Sequence, residues 1–196
     1  GLSNYKLEKF NEVISDCEEA IKYNEKDTDV YYLLGLAHKS NEDYQKAIDA
    51  FILSIENDSR NHFAYNQKGL CEEFLGYNKE ALNSYDSAVL IDNSNYSYFY
   101  HLGLNAYLVG EFDKAIDALS KSIEIKPDNA EAKYMLGMSL LGLKNYDVAS
   151  KSFREAIRLD PNFQKAHFEL ANCYRVLERT DDAIYFFKQA STLNPN

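Results

Sequence analysis

The sequence predicts an all-α solenoid, a fold in which helical hairpins stack on one another in chain order. Two patterns lead to this prediction. Small and bulky residues recur at a step of 34 positions through the 196 residues, and each period contains two segments whose apolar residues follow the 3.6-residue spacing of a helix. The chain has only 8 glycines and 3 prolines, which are too few turn residues for an all-β fold.

Four columns keep the 34-residue register without an insertion or deletion. The first predicted helix of each period contributes the small residues Gly35, Gly69, Gly103, Gly137 and Ala171. The second predicted helix contributes an alanine column, Ala47, Ala81, Ala115, Ala149 and Ala183, and a small column, Ala20, Ser54, Ala88, Ser122, Ala156 and Ala190. It also contributes a bulky column, Phe51, Tyr85, Leu119, Phe153 and Phe187. Because glycine inside a helix costs roughly 1 kcal/mol relative to alanine, we expect a close approach at the glycines, with glycine facing alanine. The bulky column is then expected to fill the space between one hairpin and the next.

The helices are assigned in chain order from the first complete period. Residues 28–40 form its first predicted helix and residues 42–55 its second, where apolar or small residues make a 3.6-residue stripe. Joints such as 126–129 contain Pro, which ends one helix, and Asp or Asn, which can cap the next. Residues 1–27 supply the second helix of an earlier repeat, with at most half of its first helix in residues 2–7. The predicted repeats form one continuous array, bounded at 1–27 (partial), 28–61, 62–95, 96–129, 130–163 and 164–196.

Residues at both ends of the array lead us to expect further contacts or further chain. Residue 1 is Gly and not Met, so we expect the chain to be a piece of a longer protein. At the position of Phe186, the earlier repeats carry Asp16, Ala50, Ser84, Ala118 and Ser152. We therefore expect Phe186 to be exposed unless a further helix or a second copy covers it. It is either a tolerated surface aromatic or a sign of self-association through the array ends.

The columns resemble those of the tetratricopeptide repeat family. Repeat position 1 falls at Thr28, His62, Tyr96, Ala130 and Gln164. In that count, the family's small residue is at position 8, its alanine at position 20 and its second small residue at position 27. The family's proline at position 32 is present as Pro127, Pro161 and Pro195. Departures from the family pattern are Ser59 and Asn93 in place of Pro, Lys68 in place of a usual Leu, and Val13 in place of Ala. The resemblance covers essentially the whole chain, and it implies a right-handed superhelix whose concave groove recognises partners.

The resemblance also implies which side chains face that groove, namely positions 2, 5, 9 and 12 of each first helix. The candidate binding residues, taken from positions 5, 9 and 12, are Tyr32, Leu36, Asn66, Leu70, Tyr100, Leu104, Tyr107, Tyr134, Met138, Leu141, Phe168, Asn172 and Arg175. Tyrosine, methionine and phenylalanine are favoured at contact surfaces. Our hypothesis is that the groove binds an apolar or amphipathic segment of a partner protein, either a helix or an extended peptide. The alternative is that these side chains mostly pack against their neighbours along the groove wall.

Charge and residue type disfavour other partner classes. The chain has 21 basic and 31 acidic residues, a net charge of −10, which repels nucleic acids and anionic membrane surfaces. No apolar run approaches the ~18 residues of a membrane-spanning helix. Family members that bind the C-terminal carboxylate of chaperones need a cationic fork across three consecutive repeats, and no three repeats here supply it. We therefore expect a protein or peptide partner and no nucleic-acid, membrane or chaperone-tail partner.

Chemistry-bearing residues are scattered. The four histidines form no i, i+4 pair with a third ligand, and no glycine-rich phosphate loop occurs, so we expect neither a metal nor a cofactor. Adjacent acids such as Glu72 and Glu73 diverge on a helix and share no substrate site. Three cysteines, an odd and sparse set, indicate a reducing, cytoplasmic location. The sequence thus predicts a non-enzymatic scaffold or adaptor. Two alternatives are a structural subunit of a larger assembly and the non-catalytic arm of an enzyme.

Overall fold

The computed structural model describes residues 2–24 and 26–193, with side chains from residue 9 onward. Over these residues the regular secondary structure is entirely α-helical, which confirms the predicted all-α repeat fold. The eleven helices of this part of the chain are α1 Leu2–Tyr23, α2 Thr28–Ser40, α3 Tyr44–Asn57, α4 His62–Phe74, α5 Asn78–Ile91, α6 Tyr96–Leu108, α7 Phe112–Ile125, α8 Ala130–Gly142, α9 Tyr146–Leu159, α10 Gln164–Val176 and α11 Thr180–Leu193.

The chain forms two compact units, Gly1–Ser94 and Asn95–Asn196. In the first unit, α2 pairs with α3 and α4 pairs with α5 as antiparallel hairpins, while α1 packs on α2 and α3 packs on α4. In the second unit, the hairpins are α6–α7, α8–α9 and α10–α11, with α7 packed on α8 and α9 packed on α10. Within each unit a helix therefore packs chiefly on its neighbours in the chain, as expected for a repeat fold.

The first helix of a hairpin usually begins at a capping side chain. Asp27, Asn61, Asn95 and Asn129 precede α2, α4, α6 and α8, and each side chain accepts a hydrogen bond from a backbone N–H in the first turn. Phe163 precedes α10 and provides no such bond. The turn inside each hairpin passes through one residue with positive φ, at Glu42, Gly76, Gly110, Lys144 and Glu178. These two periodic features fix where the helices start and reverse.

The glycine column has a different contact from the one expected. A Cβ built on Gly35 would lie 2.5 Å from the ring of Phe51, and one built on Gly137 would lie 2.6 Å from the ring of Phe153. The bulky residue of the second helix therefore covers the glycine of its own hairpin, where we expected alanine to lie. The ring also reaches the next hairpin, because Phe51 shares a core cluster with residues of α4. At Gly103 the covering residue is Leu119, so the physical reason is that a bulky side chain, aromatic or aliphatic, fills the gap left by a missing side chain better than a methyl group does.

The two ends of the chain also differ from expectation. Helix α1 runs without a break from Leu2 to Tyr23, so residues 2–7 extend the second helix and do not begin a separate first helix. The α1 sequence contains neither Gly nor Pro, and nothing in it would interrupt the helix. The last predicted repeat includes residues 194–196, with Pro195, which lie outside the described residues. Phe186 is half-buried and not exposed.

Phe186 is covered by the preceding helix of its own hairpin. Its ring centroid lies 5.8 Å from that of His167 and 5.7 Å from that of Tyr174, both on α10. Two apolar side chains next to Phe186 on α11 remain exposed, namely Ile184 at 49% and Tyr185 at 56%. Phe186 is not exposed because His167 and Tyr174 of α10 cover its ring, a contact that the comparison of repeat positions does not contain.

Candidate functional site

The first unit presents four of the candidate side chains on the first helices α2 and α4. Tyr32, Leu36 and Leu70 are half-buried, while Asn66 is buried, with 8% of its surface exposed. Tyr32 and Leu36 pack at the edge of the core cluster around Phe51. We call these four residues the first-helix surface of the first unit. This surface therefore combines two side chains that pack on the core, Tyr32 and Leu36, with the half-buried Leu70 and the buried Asn66.

Two further residues border this surface. Phe63 is 54% exposed, and its ring centroid lies 6.5 Å from that of Tyr32 and 4.1 Å from that of His62. Lys39, on α2, donates a 2.6 Å hydrogen bond from Nζ to Oε1 of Gln67 on α4. Burial lowers the pKa of Lys39. A polar bridge between the two first helices therefore lies next to an open aromatic ring.

The second unit presents nine candidate side chains on α6, α8 and α10, which we call its first-helix surface. Seven of them are half-buried, namely Tyr100, Leu104, Tyr107, Tyr134, Met138, Leu141 and Asn172. Phe168 and Arg175 are exposed. Tyr134, Met138 and Leu141 pack at the edge of the core cluster that contains Phe153 and Leu170. These side chains are anchored at their base, and each keeps part of its surface open.

Tyr134 lies near the middle of this surface. Its ring centroid is 5.7 Å from that of Phe153 and 4.9 Å from that of Phe163. Burial raises the pKa of Tyr134 to about 12, and the negative charge of Glu169 on α10 and the neighbouring Tyr107 on α6 act in the same direction. The pKa of the Tyr134 phenol, on α8, therefore depends on residues of α6 and α10 as well as on its own helix.

The α10 part of the surface is held by its own set of contacts. The ring of Phe168 packs edge-on against Phe187 of α11, with centroids 5.6 Å apart, and remains 48% exposed. Asn172 donates a 3.3 Å hydrogen bond from Nδ2 to Oε2 of Glu169. Phe168 is thus packed on one side and open on the other, while the Glu169 carboxylate is held by Asn172.

The candidate residues are therefore brought together within each unit, on the first helices that the repeat register assigned to them. The side chains differ in their packing, because Tyr134 lies against neighbouring rings while Phe168 remains 48% exposed. Phe63 and Glu169 were missing from the candidate set. Phe63 could have been included from the sequence, because it lies at position 2 of its repeat, one of the groove-facing positions. Glu169 is recognised only through its contacts in the structure.

Sequence profiles of known families match three stretches of the chain. Residues 28–61 and 134–196 match tetratricopeptide repeat profiles. The chain is a tetratricopeptide-repeat protein. Residues 76–156 of this repeat protein also match the profile of anaphase-promoting complex, cyclosome, subunit 3. Comparison with curated proteins gives no match.

Solved structures share the fold of this repeat protein. The crystal structure of YrrB, described as a TPR protein with an unusual peptide-binding site, superposes with a TM-score of 0.84 at 23% identity, covering 92% of this chain and 93% of that one. A crystal structure of MamA superposes with a TM-score of 0.82 at 25% identity, covering 86% and 92%. MamA residues 41-end from Desulfovibrio magneticus RS-1 give 0.80 at 17% identity, covering 86% and 95%.

Reactive groups in this repeat protein are mostly buried. Cys17, Cys71 and Cys173 are free buried thiols, and burial raises the pKa of Cys71 to about 11 and that of Cys173 to about 12. Among the described residues, no group of three or more His, Cys, Asp or Glu could hold a metal ion. In the same part of the chain, no helix has both the length and the apolar character to cross a membrane.

Proposed function

We propose that this protein is an interaction scaffold that binds an apolar or amphipathic segment of a partner protein on the first-helix surface of the second unit. The observation that carries the proposal is the row of half-buried side chains from Tyr100 to Met138 beside the exposed ring of Phe168. Side chains that already pack against the core, such as Tyr134, lose less entropy when a partner covers them, and tyrosine is among the residue types enriched at binding hot spots. The peptide-binding site named for YrrB supports the same kind of role for this chain.

The partner's chemistry follows from the charges beside the surface. Glu131 and Glu169 lie on α8 and α10 next to Tyr134, and both act to raise the pKa of its phenol. A terminal carboxylate brought to this place would meet like charge, so we propose an apolar or amphipathic segment and no chaperone tail. The proposal assigns no catalysis to the chain. It places the protein in a reducing, cytoplasmic environment, because all three cysteines are buried free thiols.

The chain offers a direct test because it has only 2 methionines. Met138 is a half-buried candidate residue, whereas Met135, on the same helix, is buried with 8% of its surface exposed. A peptide would be selected from a displayed twelve-residue library and titrated into protein labelled with 13C at the methionine methyl groups. We expect the Met138 signal to shift in proportion to occupancy and the Met135 signal to move much less.

Variants give the matched control. Replacing Tyr100 and Leu104 by alanine should weaken the binding of the selected peptide at least tenfold, because two large half-buried side chains are removed from the surface. Leu108 lies on the same helix, is 50% exposed and is outside the candidate set, so Leu108→Ala should leave the affinity unchanged. Equal effects of the two variants, or a peptide that leaves the Met138 signal in place, would remove the support for this function.

A second candidate function is that of a structural subunit in a larger assembly, including self-association. The match of residues 76–156 to an anaphase-promoting complex subunit favours it, as does the open apolar side chain of Ile184. At the equivalent position of earlier repeats, Ile48 and Leu82 are only 6% and 5% exposed. Sedimentation velocity of the chain and of Ile184→Ser distinguishes this function, because an assembly contact on α11 predicts a concentration-dependent oligomer that the variant abolishes.

A further inference from the structure

An open cavity of about 490 Å³ lies between the second helices of the last two hairpins. It is lined by side chains of α9, α10 and α11, namely Lys151, Arg154, Glu155, Ile157, Arg158, Leu170 and Phe186. None of these residues belongs to the first-helix surface on which the proposed function depends. The cavity is therefore a separate feature of the second unit.

The floor of the cavity is apolar and rigid. Leu170 is completely buried, and Ile157 and Phe186 pack as half-buried side chains at the edge of the same core cluster. The ring of Phe186 is held by His167 and Tyr174 on α10. A pocket of this size with a fixed apolar floor can receive an aliphatic or aromatic side chain without rearrangement.

The rim is cationic, although the chain as a whole carries a charge of −10. Lys151 pairs with Asp147 at 2.6 Å, and Arg158 pairs with Glu155 at 2.9 Å. Arg154 forms no ion pair with the described residues. The three cations of the rim thus outnumber the carboxylate that shares the lining, and the guanidinium of Arg154 is open to a ligand.

The equivalent groove one repeat earlier has a different character. It lies between α7 and α9, has a volume of about 190 Å³, and carries Ser152 at the position of Phe186. Lys133 in that groove pairs with Glu155 across 3.6 Å, so its cation is already matched. The larger volume and the unmatched arginine are therefore particular to the groove between α9 and α11 and do not follow from the repeat architecture alone.

We propose that the cavity between α9 and α11 binds an acidic peptide segment that carries one aromatic or aliphatic anchor residue. The anchor side chain occupies the apolar floor formed by Ile157, Leu170 and Phe186. Carboxylates on either side of it pair with Arg154 and with the outer edge of the rim. Charge complementarity argues for this occupant, because the lining carries three cations against one carboxylate although the chain as a whole has a charge of −10.

The test is fluorescence polarisation with a labelled five-residue peptide that has a central Phe flanked by two acidic residues on each side. Arg154→Glu should weaken its binding at least tenfold. The matched control is Lys188→Glu, which makes the same charge change at the equivalent position of the next repeat, on α11 and outside the cavity. It should change the affinity less than twofold. Peptides with Ala in place of Phe, or with Asn and Gln in place of the acids, should each bind at least tenfold more weakly.

The place of binding is read from methyl signals. The Ile157 and Leu170 methyl resonances should shift during the titration while that of Met138, on the first-helix surface, stays in place. This separates the inference from the proposed function, since each is reported by its own residues. The inference is overturned by a lack of saturable binding up to millimolar peptide, by equal losses in both charge variants, or by a shift of Met138 alone. A concentration-dependent dimer that Arg154→Glu abolishes would also overturn it, because a second copy would then be the occupant.

Discussion

A buried polar network in the first unit should be replaceable by apolar residues without loss of stability. Lys68 donates from Nζ to Oε1 of Glu72 at 2.6 Å and to Oγ of Ser84 at 2.9 Å, and the Ser84 hydroxyl donates to Oε2 of Glu72 at 2.6 Å. Glu72 is 4% exposed. The next repeat carries apolar residues at the same three positions, Leu102, Ala106 and Ala118. The same hairpin architecture is therefore compatible with either the polar set, Lys68, Glu72 and Ser84, or the apolar set at these three positions.

The magnitudes follow from what each substitution leaves behind. Lys68→Leu leaves the buried Glu72 carboxylate with Ser84 as its hydrogen-bond donor, which should cost about 3–5 kcal/mol. Glu72→Ala leaves the ammonium of Lys68, whose side chain is 20% exposed and can regain some water, so about 2–3 kcal/mol is expected. The triple change to Leu, Ala and Ala removes all three polar groups at once and should be neutral or stabilising by up to about 3 kcal/mol.

Thermal unfolding followed by circular dichroism provides the measurement. For a chain of this size, about 1 kcal/mol corresponds to a change of about 2–4 °C in the unfolding midpoint. The single variants should therefore unfold well below the parent chain, and the triple variant at or above it. The exposed pair Lys121 and Glu124, at 2.9 Å, gives the control, because its removal should change the midpoint by less than about 2 °C. A triple variant as unstable as the sum of the single losses would refute the reasoning.

Three further predictions concern local packing, capping and thiol chemistry. Gly137→Ala should destabilise the chain by about 1–2 kcal/mol in a thermal melt, because its Cβ would meet the Phe153 ring and the overpacking exceeds the gain in helix propensity; an increase in stability would contradict this. Asn129→Ala should cost about 1 kcal/mol by the same measurement, because the cap of α8 is lost, whereas Asn129→Ser should retain most of the stability. Cys71 and Cys173 should react slowly with Ellman's reagent at pH 8 and at once in guanidinium chloride, because burial raises both pKa values; a fast reaction of the folded protein would show that the thiols are accessible.

The repeat architecture was predictable because its signals are local and repeated. The helix periodicity and the capping Asp or Asn act within a few residues, so their positions follow from sequence spacing alone. The side chain that packs against each glycine could not be predicted from sequence spacing. Whether alanine or the ring of Phe51 covers Gly35 depends on side-chain rotamers and on the distance between two helices, and neither is encoded in the register.

The candidate surface shows the same division. Repeat positions placed Tyr134 and Met138 on one surface, but the degree of burial that makes each side chain an anchor depends on neighbours such as Phe163. Glu169 could be recognised as part of this surface only from its hydrogen bond with Asn172 and its effect on the pKa of Tyr134. The position of a residue in a repeat thus predicts which surface its side chain faces. The charged groups around that side chain can be identified only from the packed structure.

In a repeat protein, the residues that keep to the columns specify the fold, so the residues that depart from them carry the information that distinguishes one repeat from another. Phe186 departs from a column of Asp, Ala and Ser, and its ring forms part of the floor of the cavity between α9 and α11. Lys68 departs from a leucine column and creates a buried ion pair in α4. Neither change disturbs the helices, because the first-helix column keeps a small residue, Gly69 or Ala171, and the alanine and bulky columns are intact in both hairpins. The fold therefore tolerates new chemistry at single column positions, and such positions are where binding properties of the individual repeats can be changed without loss of the architecture.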